Sequence, residues 1–144
     1  MLTISLVQPF GAPKLRAVKK ERKHYHLDWT LVNAPGARFE NLVAVHLLKW
    51  VSFQEDSEGR DLELRYFRDI DGREVDFIVT EHRVPILAVE CNLDDAAPNR
   101  GLRCFKEKFP NCECVQIAKA GARDVRTPEG IRLMPALQFL SGLV

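Results

Sequence analysis

The chain has 144 residues, 46% of them hydrophobic and 28% charged, with 21 basic against 20 acidic side chains and a formal net charge of +1. That length suits one domain around one core, and so small a net charge does not mark a strong nucleic-acid binder. No apolar run is long enough to span a membrane, and the opening Met1–Val7 lacks the basic start and cleavage site of a signal peptide, so cytoplasmic residence is expected.

Pro9, Gly11 and Pro13 interrupt regular structure, and residues 1–23 are expected to form an irregular basic arm. Lys14, Arg16, Lys19, Lys20, Arg22 and Lys23 cluster there, opposed only by Glu21. The arm is either a solvated face or a strip that contacts phosphates. No aromatic residues interleave to stack on bases, which favours the first.

The domain proper is expected over residues 24–144. Lys23–Asp28 can form a short strand ending in a turn. Phe39, Leu42, Val43, His46, Leu47, Trp50 and Val51 recur at helical spacing and predict a helix from Ala37 to Phe53, with a polar loop from Gln54 to Asp61. His46, Trp50 and Phe39 are expected in the core. Leu62–Arg68 alternates as a strand, Asp71-Gly72 signals a tight turn, and strands follow over Glu74–Thr80 and Pro85–Cys91 with a turn near His82-Arg83. Leu102, Phe105 and Phe109 mark a second helix, ended by Pro110. Cys112–Ala118 then reads as a strand set beside its predecessor by a crossover. A short apolar strand or turn from Ile131 and a helix from Pro135 close the chain. The order indicates an α/β domain with a mixed sheet of four to five strands flanked by helices.

Cys112 and Cys114 would point the same way along a strand, but no His pair lies nearby to complete a zinc site. Free thiols are expected there and at Cys91 and Cys104.

The most informative pair is acidic. Asp76 and Glu90 sit within apolar strand sequences, where a carboxylate is costly unless paired, protonated or bound to a metal. Side chains alternate along a strand, so Asp76 is expected opposite in sense to Val75 and Phe77. A hairpin centred on Arg83 sets Asp76 and Glu90 directly across from each other, with Cβ atoms about 5 Å apart. Two such carboxylates repel unless something positive lies between them. Mg²⁺ or Mn²⁺ would meet that need, and Asp76 and Glu90 are its candidate ligands. The alternative is an inert site in which Arg65, Arg68 or Arg73 pairs with one carboxylate.

Glu40 on a helix, Arg73-Glu74-Val75-Asp76-Phe77-Ile78-Val79, and Ala88-Val89-Glu90-Cys91-Asn92 together resemble the PD-(D/E)xK restriction-endonuclease-like domain. More closely, the chain resembles the C-terminal domain of unknown function (4143) of prokaryotic AAA-type ATP-binding proteins. Lys23–Asp28, Gly36–Val43, Tyr66–Phe77, Gly101–Phe105 and Met134–Leu140 all fit that resemblance. It implies a catalytic set of Glu40, Asp76, Glu90 and Asn92, with Asp76 and Glu90 as metal ligands. Asn92 stands where the nuclease pattern has lysine. It can donate a hydrogen bond but brings no charge. A lysine from elsewhere, such as Lys106, is the candidate replacement. Each residue also has a plainer role: Glu40 in the first turn of a helix, where the dipole favours an acid, and Asn92 in a turn.

No Gly-x-x-x-x-Gly-Lys-Ser/Thr phosphate loop occurs, so no ATP site is expected in this chain. The chain is expected to be a free-standing domain or the end of a larger protein. The function implied is that of a degenerate nuclease-like domain that binds nucleic acid or protein, with metal-dependent phosphodiester cleavage as its associated chemistry. The alternative is an interaction or regulatory module that docks on a partner AAA-type ATPase.

Overall fold

A strand buried on both faces has to lie mid-sheet with cover on each side. β4 (Glu74–Glu81) is such a strand, buried at every position from Val75 to Thr80. In the computed structural model, which describes residues 3–11 and 22–143, β4 sits centrally in one mixed sheet. The sheet has eight strands rather than four to five. Its other members are β1 (Thr3–Pro9), β2 (Lys23–His26), β3 (Leu62–Arg68), β5 (Val84–Asn92), β6 (Glu113–Ala118), β7 (Val125–Arg126) and β8 (Ile131–Pro135), in the order β2-β1-β3-β4-β5-β6-β8-β7.

The three antiparallel strands read from the sequence are β3, β4 and β5. β6 lies parallel to β5 after a helical crossover, and β8 parallel to β6. The extra strands come from segments with weak local signals. Thr3–Pro9, expected within an irregular arm, forms β1, parallel to β3 and antiparallel to β2. β7 is two residues long. Lys14, Arg16, Lys19 and Lys20 lie outside the described residues.

Three helices cover the sheet: α1 (Pro35–Glu58), α2 (Arg100–Lys108) and α3 (Ala136–Ser141). Phe39, Val43, Leu47 and Val51 of α1 pack on Leu62, Tyr66, Phe77, Val89 and Ile117, joined by Phe139 of α3. On the opposite face Leu102 and Phe105 of α2 pack on Phe67, Val75, Ile78, Ala88 and Leu133. Phe39 is in the core as expected, while Trp50 and His46 are only partly buried.

α1 runs beyond both expected ends. Pro35 opens it, its ring already suited to helical φ and its missing N–H not needed there. Hydrophobic spacing stops at Phe53, but Gln54–Glu58 continue as an exposed helical turn. Gly59 ends it with φ 65°; its N–H reaches Glu55 O at 3.0 Å, and the Arg60 N–H reaches Gln54 O at 3.4 Å. The acidic residue Glu40 therefore lies past the first turn, which contains no acid.

Two contacts set the element spacing near the functional end of the sheet. Asn41, 3% exposed on α1, accepts the His26 N–H at 2.9 Å and donates to His26 O at 2.7 Å. It binds the end of β2 as a neighbouring strand would. Gly101, in the first turn of α2, lies so close to β4 that a Cβ there would stand 2.1 Å from Glu74 O.

Asn41→Ala leaves a buried donor and acceptor without partners and is expected to destabilise the fold by about 2–3 kcal/mol in urea unfolding. Gly101→Ala forces α2 away from β4; a loss of at least about 2 kcal/mol is expected in the same measurement. An unchanged midpoint for either variant would contradict the contact assigned to it.

Candidate functional site

The β4–β5 hairpin turns through His82 and Arg83, both with positive φ (51° and 67°), as a two-residue primed turn requires. Its centre is therefore between these residues, not on Arg83. Thr80 pairs with Pro85, yet Val79 pairs with Leu87, so Ile86 is an extra residue on β5. From there Ile78 faces Ala88 and Phe77 faces Val89. Continued by one residue, this register sets Asp76 against Glu90, as expected.

A second bulge changes where Asp76 points. Arg65 pairs with Ile78 but Phe67 with Val75, so Tyr66 faces both Asp76 and Phe77. Strict alternation fails here: Phe77 packs under α1, whereas Val75 packs under α2. Asp76 is the residue at which β4 changes sides. Bulges of this kind redirect a side chain at the rim of a sheet.

Asp76 and Glu90 are 9% and 8% exposed. Each accepts from the other's strand: the Asp76 N–H donates to Glu90 Oε2 at 3.2 Å, and the Cys91 N–H to Asp76 Oδ2 at 2.9 Å. Glu40 approaches from α1, its Oε2 accepting the Tyr25 hydroxyl at 2.7 Å. Burial, then the charges of Glu90 and Glu40, push the Asp76 carboxyl well above its ordinary value. Burial raises Glu90 from 4.5 to about 7, against the stabilising Asp76 N–H. Burial and Glu40 likewise raise the Tyr25 hydroxyl, keeping it a donor.

A cation that the sequence did not assign to the site already reaches this cluster. Lys23 Nζ lies 3.2 Å from Glu74 Oε1, 3.7 Å from Glu40 Oε2 and 3.9 Å from Asp76 Oδ1. Its ammonium also stands 5.0 Å from the centre of the Tyr66 ring. Arg68 pairs with Glu74 at 3.1 Å, Arg73 with Asp69 at 2.6 Å, and Arg65 with Glu63. Burial raises Glu74, but Lys23 and Arg68 outweigh it and hold this carboxyl below its usual range.

Of the four residues expected to form the site, the structure brings Glu40, Asp76 and Glu90 together. Asn92 ends β5 and lines a separate small cavity with Asp94, Gln116 and Arg123. Lys106 is turned away as well, donating to Pro110 O at 2.9 Å and Cys112 O at 2.8 Å. Sequence reasoning placed Lys23 both in a basic arm and at the start of the Lys23–Asp28 strand, and gave it no part in the site. The signal available was its spacing of two from Tyr25 in a short strand, which sets both on one face.

Glu74, Asp76 and Glu90 open into a cleft of ≈ 320 Å³ whose other wall includes Arg73, Arg100 and Gly101. The first amides of α2 do not face it freely, because Asn99 Oδ1 caps the N–H groups of Gly101 and Leu102. Its carboxylate donors suit a hard divalent cation, and the Lys23 ammonium shows that positive charge is accommodated among them. Among the described residues no three Asp, Glu, His or Cys side chains stand ready as a ligand set. Mg²⁺ binds through one or two carboxylates with retained waters, which Asp76 and Glu90 can provide. All four cysteines are free.

A raised carboxyl has a definite effect on stability. Between pH 4.5 and about 7 the folded chain keeps a proton on Glu90 that the unfolded chain has released. Stability from this group is full below the lower value and is lost as pH rises through the upper one. Glu90→Gln should match the metal-free wild type near pH 4 and exceed it by up to about 3 kcal/mol at pH 8. Urea unfolding at both pH values checks this; parallel curves for the two proteins would exclude the assignment.

No curated protein and no solved structure matches the chain, and no described helix is long and apolar enough to cross a membrane. The model of the family described as "Domain of unknown function (DUF4143)" matches residues 35–139, a span that contains Glu40, Asp76 and Glu90 but not Lys23. The chain belongs to this family.

Proposed function

We propose that this is a restriction-endonuclease-like, PD-(D/E)xK domain whose acidic cleft takes Mg²⁺ or Mn²⁺ and engages the phosphodiester backbone of nucleic acid. The observation that carries the reading is the convergence of two buried carboxylates from one hairpin, Asp76 and Glu90, with Glu40 from α1. Structural acids rarely accumulate this way, because each raises the cost of ionising the next.

When bound, a divalent ion polarises a phosphoryl oxygen and lowers the pKa of water. Asp76 and Glu90 would hold it, and Tyr25 fixes the orientation of Glu40 beside them. Arg100, exposed at the rim, adds positive charge on the side from which a phosphate would enter. Asn92 lines a different cavity and adds no charge, so slow cleavage is expected of the wild type, with binding as the principal activity.

A second reading has one observation in its favour. Phe53 and Leu137 are 63% and 79% exposed, and Phe53 borders an apolar cleft with Trp50, His46 and Leu143. Such a surface suits a protein partner, and an AAA-type ATPase supplied by another chain is the partner this reading proposes. Phe53→Asp would then abolish co-elution with that ATPase without affecting the acidic cleft.

Calorimetry at pH 8 should find Mn²⁺ binding to the wild type, weakened at least tenfold in Asp76→Ala and Glu90→Ala while circular dichroism stays unchanged. Binding should tighten from pH 6 to 8 as the carboxyls lose their protons. Absence of binding by the wild type would end the metal reading. Intact DNA and RNA after long incubation with either metal would end the proposal of cleavage.

A further inference from the structure

We infer that Lys23 is a tethered cation that couples metal binding to phosphodiester binding in the acidic cleft, acting from β2. This inference rests on the metal-site reading above and extends it to a residue outside the nuclease pattern and outside the matched residues 35–139, at the start of the Lys23–Asp28 segment that fits the family resemblance.

The starting point is charge balance. Glu40, Glu74, Asp76 and Glu90 gather at one end of the sheet, and Lys23 Nζ lies within 4.0 Å of three of them. Each distance is longer than a tight charge-assisted hydrogen bond, that to Glu74 being the shortest at 3.2 Å. The ammonium is shared among several anions instead of being committed to one. It is also well placed to be shared. Its side chain is 18% exposed, its charge faces the Tyr66 ring, and its backbone belongs to the strand that Asn41 fixes to α1.

A lysine in this position does two different things depending on what else is present. Without a divalent ion it compensates the carboxylates, and its own charge is not available to an incoming phosphate. A divalent ion held by Asp76 and Glu90 takes over that compensation. Lys23 is not part of the wall of the cleft, but its ammonium, on a flexible stem with three donors, touches Glu74 and Asp76, which are, and once released it can reach past them to an anion there. Metal and nucleic acid should therefore bind with positive coupling, and the coupling should depend on Lys23. By linkage the effect is reciprocal: nucleic acid tightens metal binding by the same factor. Lys23 is a binding residue in this account, and no bond is made or broken at its nitrogen.

The test uses Mn²⁺ calorimetry together with fluorescence anisotropy of a short DNA duplex and a short RNA, each with non-hydrolysable phosphorothioate linkages. The proteins are the wild type, Lys23→Gln, Lys23→Met and Lys23→Arg. In the wild type, saturating Mn²⁺ should tighten binding of at least one nucleic acid tenfold or more. In Lys23→Gln and Lys23→Met, Mn²⁺ alone should bind several-fold more tightly, because a competing charge is gone, while its effect on nucleic-acid affinity falls below threefold. Lys23→Arg should retain most of the coupling. Full coupling in folded Lys23→Gln or Lys23→Met overturns the inference and leaves the metal site standing. A wild type that binds Mn²⁺ without any change in nucleic-acid affinity does the same, whether or not the variants fold. A wild type that binds no Mn²⁺ overturns both readings.

Discussion

Carboxylates crowded into a partly dehydrated end of the sheet are the constraint around which this molecule is arranged. A pair of unit charges 4 Å apart interacts by about 4 kcal/mol at the effective dielectric typical near a protein surface. Desolvation adds to that repulsion for Asp76 and Glu90. The fold meets the cost in three ways at once. Protons stay on Asp76 and Glu90 to higher pH than usual, backbone N–H groups of Asp76 and Cys91 stabilise what charge forms, and Lys23 stands among Glu40, Glu74 and Asp76.

Much of the surrounding architecture serves this end of the sheet. Two bulges on the central hairpin have separate effects. Ile86 corrects the register left by the two-residue turn, and the bulge at Asp76 redirects the carboxylate itself. Asn41 and Gly101 act from opposite faces. The first joins α1 to β2 and so brings Lys23 and Tyr25 to Glu40, while the second lets α2 close against β4 beside Glu74. The acids themselves would not be chosen for stability alone. Apolar side chains in place of the acids would pack the same rim without the electrostatic cost.

The central sheet was legible because its information is local. Leu62–Arg68, Glu74–Thr80 and Pro85–Cys91 carry alternation or continuous apolarity bounded by turn residues, and the pairing of Asp76 with Glu90 follows from hairpin arithmetic. That arithmetic reached the right register from a turn centre half a residue out, because Ile86 compensates. β1 was not legible: it pairs with β3, more than fifty residues away in the chain, and Pro9 signals a break. Pro9 is tolerated as the last residue of the strand. Lys23 was invisible as a site residue for the same reason. Its role exists only once β2 has been carried through β1 to the sheet and clamped by Asn41, and among neighbouring lysines it reads as one more surface charge. Asn92 shows the converse. Its place in a linear motif marked it for the site, but β5 ends there and its side chain lines another cavity.

The same balance of terms argues against an inert remnant. A buried acid pair with no ligand is a net cost at neutral pH, of the order of 3 kcal/mol for Glu90 when its shift to about 7 is converted to free energy. A ligand present at about a hundred times its dissociation constant returns some 2.7 kcal/mol. A cation bound in the cleft would offset part of what the site takes from the fold. A structural role gives no comparable return, because the backbone bonds made by Asp76 and Glu90 could be made by neutral amides of the same shape. The lysine shared among their neighbours shows that the fold accommodates positive charge beside these acids.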